Sequence, residues 1–291
     1  MTDLTRNFVK AKRPCAEGFR WFLRTHQSGG DYQPVLDALV GDGRVDDACW
    51  LLDQFGPTDA VLCVDAIDAE AIVFAGSLNV RGPIEVGSIV RAGRAIRAGG
   101  GIRAGRAIVA GEDLHADGAV RSAGTLDVGG DIRTACGIET GGALHCGGKT
   151  RVEWDLVCGG ALTLTGDAHI GGTLEAHARI QCGMSLHVGE RIESAGDIHA
   201  VHGIEAGDAI RSEAHLEAGW GIRALGPIEA GGAIRAGESL LAAGEIRAGT
   251  GYGIYAGLVV RCEDWATSAR VCARTRPDRL MSGWWAGDGP L

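Results

Sequence analysis

Aromatic residues, prolines and long apolar runs are all scarce in this sequence. Of its 291 residues only 5% are aromatic, and seven are proline. No segment approaches the roughly 18 consecutive apolar residues that a membrane-spanning helix needs, so we expect no membrane partner. The opening residues, MTDLTRNFVKAKRP, contain no apolar run, and they therefore give no sign of a signal peptide.

Paired cysteines and an excess of positive charge are missing as well. The nine cysteines are an odd number and never stand in C-x-x-C spacing, which argues against a disulfide framework and against a metal site. Reduced thiols in a cytoplasmic protein are the simplest interpretation, and we expect no cofactor. The formal net charge of −9 disfavours nucleic acid as the main partner.

Glycine and small apolar residues are abundant, and they recur with a period of six. In VRAGRAIRAGGGIRAGRAIVAG, at 90–111, Ile96, Ile102 and Ile108 are each followed two places later by an alanine. Steps of six from 72 to 246 give thirty positions, and all but Thr150 and Ala168 hold isoleucine, leucine or valine. Such a strict repeat is typical of a solenoid, which buries a continuous core by stacking identical units.

The order of residues within one hexad predicts a short strand followed by a corner. Residues i and i+2 share one face of a strand, so the aliphatic and the small residue both point inward. We expect the glycine that follows to allow the turn through its tolerance of positive φ. Three hexads to a coil predict a mainly β protein: a three-sided parallel β-helix of about ten coils with a small α-helical N-terminal cap.

The non-repetitive ends predict the domain organisation. Residues 1–60 contain three segments with helical spacing, at 15–26, 32–40 and 45–55, and we expect them to form the cap. The β-helix is expected over 61–262 and a C-terminal cap over 263–291, where Trp265, Trp284 and Trp285 would cover the last coil. Two covered ends would favour a discrete rod, because uncovered strand edges invite self-association.

Two kinds of exposed residue are candidates for binding a partner. The first is an acidic cluster of the third predicted helix and the segment before it. The second is a pair of corner tryptophans, since tryptophan is enriched where binding energy concentrates and is not needed to pack a solenoid corner. The candidates are Asp42, Asp46, Asp47, Asp53, Trp154, Asp155 and Trp220. A solvated helix face and local covering of a corner are the alternative explanations.

The hexads resemble two known families of β-helix. They are similar to those of hexapeptide acyltransferases, whose helix is left-handed, but Ile102-Arg103-Ala104-Gly105 has the small residue after the aliphatic one rather than before it. The glycine-rich coils are also similar to bactofilins, whose helix is right-handed. Handedness therefore stays open at this point, with the right-handed form slightly favoured.

The chain as a whole resembles β-solenoid immunity proteins of contact-dependent growth inhibition and related polymorphic toxin systems. The likeness is carried by CAEGFRWF, VDDACWLLDQFG, the IEAGxxIRAG shaft and RLMSGWWAG. It implies a cytoplasmic, non-enzymatic antitoxin that binds a cognate toxin, often a nuclease, and occludes its active site. An acidic protein suits a basic toxin domain, because opposite potentials speed association.

Two other functions stay open. One is a bactofilin-like scaffold or cytoskeletal polymer, in which the chain associates with itself. The other is an acyltransferase, which is disfavoured because hexapeptide acyltransferases generally interrupt the helix with a loop near the catalytic histidine. The thirty hexads contain no such loop, and we expect no catalytic residues.

Overall fold

Three parallel sheets form the body of the protein, and a computed structural model describes them within residues 3–26 and 30–288. The chain visits the sheets in turn, so from β3 to β34 the strands pair with those three places before or after them, whereas at the C-terminal end β37 pairs with β35 and β38 with β36. Parts of the two predicted caps, at residues 1–2, 27–29 and 289–291, lie outside the described residues. The predicted mainly β, three-sided solenoid is confirmed.

We name the sheets in the order in which the chain enters them. Sheet 1 has 13 strands: β3 Val61–Val64, β6 Ser77–Val80, β9 Ile96–Ala98, β12 Leu114–Ala116, β15 Ile132–Thr134, β18 Thr150–Val152, β21 Ala168–Ile170, β24 Leu186–Val188, β27 Ile204–Ala206, β30 Ile222–Ala224, β33 Leu240–Ala242, β36 Arg270–Cys272 and β38 Trp284–Gly287. Sheet 2 has 11 strands: β4 Ile67–Ala69, β7 Ile84–Val86, β10 Ile102–Ala104, β13 Val120–Ser122, β16 Ile138–Thr140, β19 Leu156–Cys158, β22 Leu174–Ala176, β25 Ile192–Ser194, β28 Ile210–Ser212, β31 Ile228–Ala230 and β34 Ile246–Arg247. Sheet 3 has 12 strands: β5 Ile72–Phe74, β8 Ile89–Ala92, β11 Ala107–Ala110, β14 Thr125–Val128, β17 Leu144–Cys146, β20 Leu162–Leu164, β23 Ile180–Cys182, β26 Ile198–Ala200, β29 Leu216–Ala218, β32 Ile234–Ala236, β35 Ile254–Tyr255 and β37 Leu280–Ser282.

The shaft is longer than the count of hexads indicated. The thirty hexads correspond to β5 through β34, but six further strands at the two ends bring the solenoid to about 13 turns rather than ten. The count of hexads does not include these six strands, because the first coil is shorter than 18 residues and the last coils contain loops. At about 4.8 Å between strands, sheet 1 is about 58 Å long.

Inward side chains of successive coils stack directly on one another. Ile132, for example, pairs with Leu114 on one side and with Thr150 on the other. At Thr150 and Ala168 the large side chain moves two places along the strand, to Val152 and Ile170, and both of these are fully buried. Exchanging the two positions keeps the volume of the core constant, which explains why the two exceptions to the hexad do not interrupt the fold.

Glycine at the corners allows neighbouring coils to approach closely, and it does not adopt a positive φ there. In the shaft from 72 to 248 no described glycine has a φ in the left-handed region. A Cβ on Gly105 would instead lie far inside contact distance of the carbonyl oxygen of Gly87, one coil earlier. Asp117 and Val201 stand at equivalent corner positions, so the local backbone adjusts where a side chain is present.

Small polar residues at the inward position bond to the backbone of the corners. The Ser194 hydroxyl donates to the carbonyl oxygen of Ala178 at 2.7 Å, and the Cys146 thiol donates to Gly130 at 3.3 Å. These bonds give the buried hydroxyl and thiol groups a partner that the apolar core could not supply. Serine, threonine and cysteine therefore replace alanine there without disturbing the register.

The residues up to Phe55 form what we call the helical region, whose described part contains four helices: α1 Arg6–Ala11, α2 Ala16–Thr25, α3 Tyr32–Gly41 and α4 Val45–Phe55. The three predicted helices are confirmed as α2, α3 and α4. The sequence analysis missed α1, a helix of six residues that begins after the N-cap Thr5. Two short strands, β1 Asp3–Leu4 and β2 Gly30–Asp31, pair antiparallel beside these helices.

The helices pack beside the shaft, against the outer surface of the first strands of sheet 3. Their core includes Val35, Leu36 and Leu52, and it continues into the outward-facing Val73 and Ile89 of the shaft. One side chain, Gln33, reaches the outer edge of β5.

Beyond β35, a 3-10 turn at Cys262–Asp264 and helix α5, Trp265–Ser268, lead into β36 to β38, which continue sheets 1 and 3.

We predict that Ile132→Asp lowers the unfolding free energy by at least about 4 kcal/mol, because it buries an unpaired charge in the stacked core. Arg133→Asp is the matched control, since it places the same charge one residue away on the exposed face. Thermal unfolding followed by circular dichroism measures both variants. Equal losses in the two would mean that the inward register is wrong.

Candidate partner-binding surface

The predicted acidic cluster forms bonds within the molecule. The Trp21 indole donates to Asp42 at 2.6 Å, and Arg106 donates to Asp46 at 2.7 Å. Asp47 is paired with Arg44, and Asp53 with Arg91. The cluster is therefore partly neutralised by neighbouring cations.

Two of these pairs join the helical region to the shaft. Arg91 lies on β8, and Arg106 lies at the corner before β11, so Asp53 and Asp46 fasten α4 to the outside of sheet 3. The Asp46 side chain nevertheless remains largely exposed, and it is accessible to a partner from solution.

Trp154 is the most exposed tryptophan of the described chain, at 65%. It lies at the corner between sheets 1 and 2 and forms the rim of an open trough on the outer surface of sheet 2. The trough floor contains Arg121, Glu139 and Val157, with the Arg121 and Glu139 side chains 3.3 Å apart. A flat floor beside a projecting aromatic ring is suited to an extended protein segment.

The trough continues across sheet 2 toward His177 because the far corner has almost no side chains. Gly105, Gly141 and Gly159 occupy that corner in three of the coils. Beyond the trough, Glu175 and Glu193 continue the outward column of sheet 2. Glu175 lies against His177 at 2.9 Å, and Glu193 lies 3.4 Å from Arg191. The surface thus offers an aromatic anchor, a smooth floor and two carboxylates beyond one end.

Asp155, next to Trp154, bonds to the backbone of the following coil. Its carboxylate accepts a hydrogen bond of 2.7 Å from the backbone N–H of Thr173, 18 residues later. Asp113, Asp131 and Asp197 make the same bond elsewhere in the shaft. This repeated bond gives Asp155 a role in joining coils, and it positions the corner from which Trp154 projects.

Trp220 lies at the corner between sheets 3 and 1, so it is not part of the Trp154 trough. Its ring stacks on His202 with centroids 4.1 Å apart, and 49% of the residue remains exposed. Met184 and Val259 are exposed along the same corner. We call Met184, Val201, Trp220 and Val259 the apolar ridge. The sequence contained a signal for this corner that we missed: Met184, His202 and Trp220 follow one another at intervals of 18 residues.

The outward column of sheet 1 carries mainly arginine and histidine. Six successive coils place Arg97, His115, Arg133, Arg151, His169 and His187 in line. Neighbouring carboxylates offset part of this charge, as in the 2.7 Å pair of Arg151 with Glu153, which lowers the pKa of Glu153. The protein is thus locally basic on this side despite its net negative charge.

The buried thiols are unsuited to nucleophilic chemistry. Burial raises the pKa of Cys146 and of Cys182, and both thiols donate to backbone carbonyl groups. A thiol held in its protonated form is a poor nucleophile. Within the described ranges, no three His, Cys, Asp or Glu side chains lie close enough to hold a metal ion. No helix in the described part of the chain is long and apolar enough to cross a membrane.

One comparison with known proteins identifies part of the chain. A family model described as the YdhT N-terminal domain matches residues 1–55. The match ends at the last residue of α4, so it covers the helical region and none of the shaft. No curated protein and no solved structure matches the chain.

We predict that Asp53→Lys loosens α4 from the shaft, because it places two cations together at Arg91. Hydrogen exchange of the α4 amides should show an opening free energy lower by about 1 kcal/mol. Glu17→Lys is the control, since it makes the same charge change on α2 away from the shaft. Unchanged exchange of α4 in Asp53→Lys would show that apolar packing alone holds the helices.

Proposed function

We propose that the protein is a non-enzymatic protein-binding rod that holds its partner along the side of the shaft. The observation that supports this most directly is the exposed Trp154 beside the open trough of sheet 2. A large aromatic ring kept in water at the corner of a rigid solenoid gains nothing for folding, but it can bury a large apolar area against a partner.

We further propose that the partner is a basic toxin domain and that the protein is its antitoxin. The resemblance of the whole chain to β-solenoid immunity proteins supports this proposal. The exposed carboxylates of Glu175 and Glu193 beyond the trough support it too, because a basic domain anchored at Trp154 could pair with them. Binding across a catalytic cleft occludes it without any chemistry by the antitoxin.

The scaffold alternative also has one observation in its favour. Strands β3 and β4 form the first edges of sheets 1 and 2, and the helices cover neither of them. Covered ends were the reason for preferring a discrete rod. Electron microscopy of the purified full chain tests this alternative, which long filaments would favour and single rods would disfavour.

The test of the antitoxin proposal begins with a photo-crosslinking residue at position 157, on the trough floor beside the unchanged Trp154, in the full chain in its source cell. The captured partner should stop growth when it is expressed alone, and co-expression with this chain should restore growth. A captured protein that is harmless, or no cross-link at this position, would contradict the proposal.

Trp154→Ala should weaken binding of that partner by about 2 kcal/mol, a factor of about 30, and should abolish protection. The fold should be retained, because the side chain is mostly in water. Trp284→Ala is the matched control: Trp284 is also half-exposed, but it lies at the end of the shaft. Equal affinity of the two variants would remove Trp154 as the anchor.

A further inference from the structure

The N-terminal end of the shaft, which we call the head, has two unpaired strand edges. The third edge, that of β5, is occupied by Gln33: its side-chain amide donates to the Val73 carbonyl at 3.1 Å and accepts from the Ala75 N–H at 2.8 Å. This side chain takes the place of a neighbouring strand. Throughout 3–26 and 30–288, no strand or side chain is hydrogen-bonded to the outer edges of β3 and β4.

The apolar core is open at the head. Leu62, Val64 and Ile67 are only half-buried, whereas Leu78, the residue paired with Leu62 one coil further on, is completely buried. Val61 is 58% exposed on the same strand. An edge strand of sequence VLCV has no lysine, proline or bulge, which are the features that usually prevent edge-to-edge pairing.

The C-terminal end, which we call the tail, is open in a complementary way. The outer edge of sheet 1 is β38, with Trp284 half-exposed and Trp285 packed against the core. Strand β38 runs parallel to all other strands of its sheet. A second copy stacked in the same direction would therefore continue sheet 1 with the same parallel geometry that builds the shaft.

The head and the tail carry opposite charges. The head contains Asp59, Asp65, Asp68 and Glu70, all exposed. Arg94 pairs with Asp59 and Arg81 with Asp65, whereas Asp68 and Glu70 form no ion pair within the described residues. In the tail, residues 270–279 contain four arginines and one acidic residue. Opposite charges favour head-to-tail contact, whereas a head-to-head contact would bring the acidic residues together.

The opposite charges also lie on the same side of the shaft. Asp68 is on β4 of sheet 2, and Glu70 follows at its corner. In the tail, the Arg274 N–H donates to Gly244 just before β34, and the Arg279 carbonyl accepts from Ile254 at the start of β35. The segment 274–279 therefore crosses the sheet 2 side, where stacking would place it beside Asp68 and Glu70.

We propose that a second copy of this chain docks end-on, head to tail, with β38 of one copy beside β3 of the next. Arg274, Arg276 and Arg279 then face Asp68 and Glu70 across the junction. Because the two contact patches differ and are at opposite ends, the contact does not close on itself and gives linear chains. This inference deepens the scaffold alternative and does not involve the Trp154 trough.

Charge reversal at either end tests the contact. Sedimentation velocity of the full chain measures its self-association over a range of protein and salt concentrations. Asp68→Lys with Glu70→Lys reverses the head, and Arg274→Glu with Arg276→Glu reverses the tail. Either variant alone should associate at least tenfold more weakly, whereas mixing the two, or combining all four substitutions, should restore association. Arg97→Glu with Arg133→Glu is the control: it makes the same charge change on the side of the shaft and should leave association unchanged.

Disulfide cross-linking tests the direction of stacking. Continuing the register of sheet 1 places Cys63 of one copy beside Ala286 of the next, because Leu62 and Trp285 are both inward-facing. The other exposed thiols are first removed by Cys15→Ser and Cys262→Ser. A variant that also carries Ala286→Cys should form disulfide-linked oligomers on mild oxidation, and adding Cys63→Ser to that variant should prevent them.

Three outcomes would overturn the proposal. The first is a single sedimenting copy at all concentrations, which would also remove the scaffold alternative. The second is association that neither charge reversal weakens. The third is a Cys63–Cys63 disulfide dimer in protein that lacks Ala286→Cys. Such a dimer would show that two heads are in contact, so that the scaffold alternative would remain with copies in opposite directions. None of these outcomes bears on binding at Trp154.

Discussion

The inward side chains of each coil rest on those of the coil before it, 18 residues earlier in the chain. This stacking of aliphatic and small side chains is the interaction on which the whole shaft depends, because no single coil encloses a core of its own. It favours the same chain length in successive coils, and thirty hexads follow one another without an insertion. It also fixes the outward residues in straight columns, so the electrostatics of each side follow from the sequence at intervals of 18.

A core that narrow leaves no room for a ligand, and the chemistry of the protein is therefore on its surface. The positions that vary most are the outward residues and the corners, which the stacking does not constrain. Trp154, the apolar ridge and the basic column of sheet 1 all occupy such positions. Asp155 shows that not every polar corner residue is free, since its bond to Thr173 belongs to the coil-to-coil framework.

The repeat allowed the shaft to be predicted almost residue by residue, since an inward position is defined by the period alone. The irregular parts were harder to predict. The short helix α1 has too few residues for an amphipathic pattern, and the strands β36 to β38 join the sheets through loops that hide the period. The acidic residues of α4 were identified as exposed, but their pairing with Arg91 and Arg106 depends on how the helices sit against sheet 3. No local pattern contains that information.

Trp154 and Trp220 were found because a tryptophan at a glycine-rich corner contradicts the repeat, yet their separation onto different corners follows only from the three-dimensional path of the coils.

Stacking also determines what happens at the ends of the rod. An internal coil is covered on both sides by its neighbours, while a terminal coil exposes one side of its core and one set of strand edges. The helical region covers one of the three edges at the head, through Gln33, and otherwise packs beside the shaft on Val73 and Ile89. The uncovered head is apolar at its centre and acidic at its rim, and the tail is apolar with arginine at its rim. The stacking that joins one coil to the next within the chain can therefore also join the tail of one copy to the head of another. The strands of the two copies would run in the same direction, and the charges at the junction would be opposite.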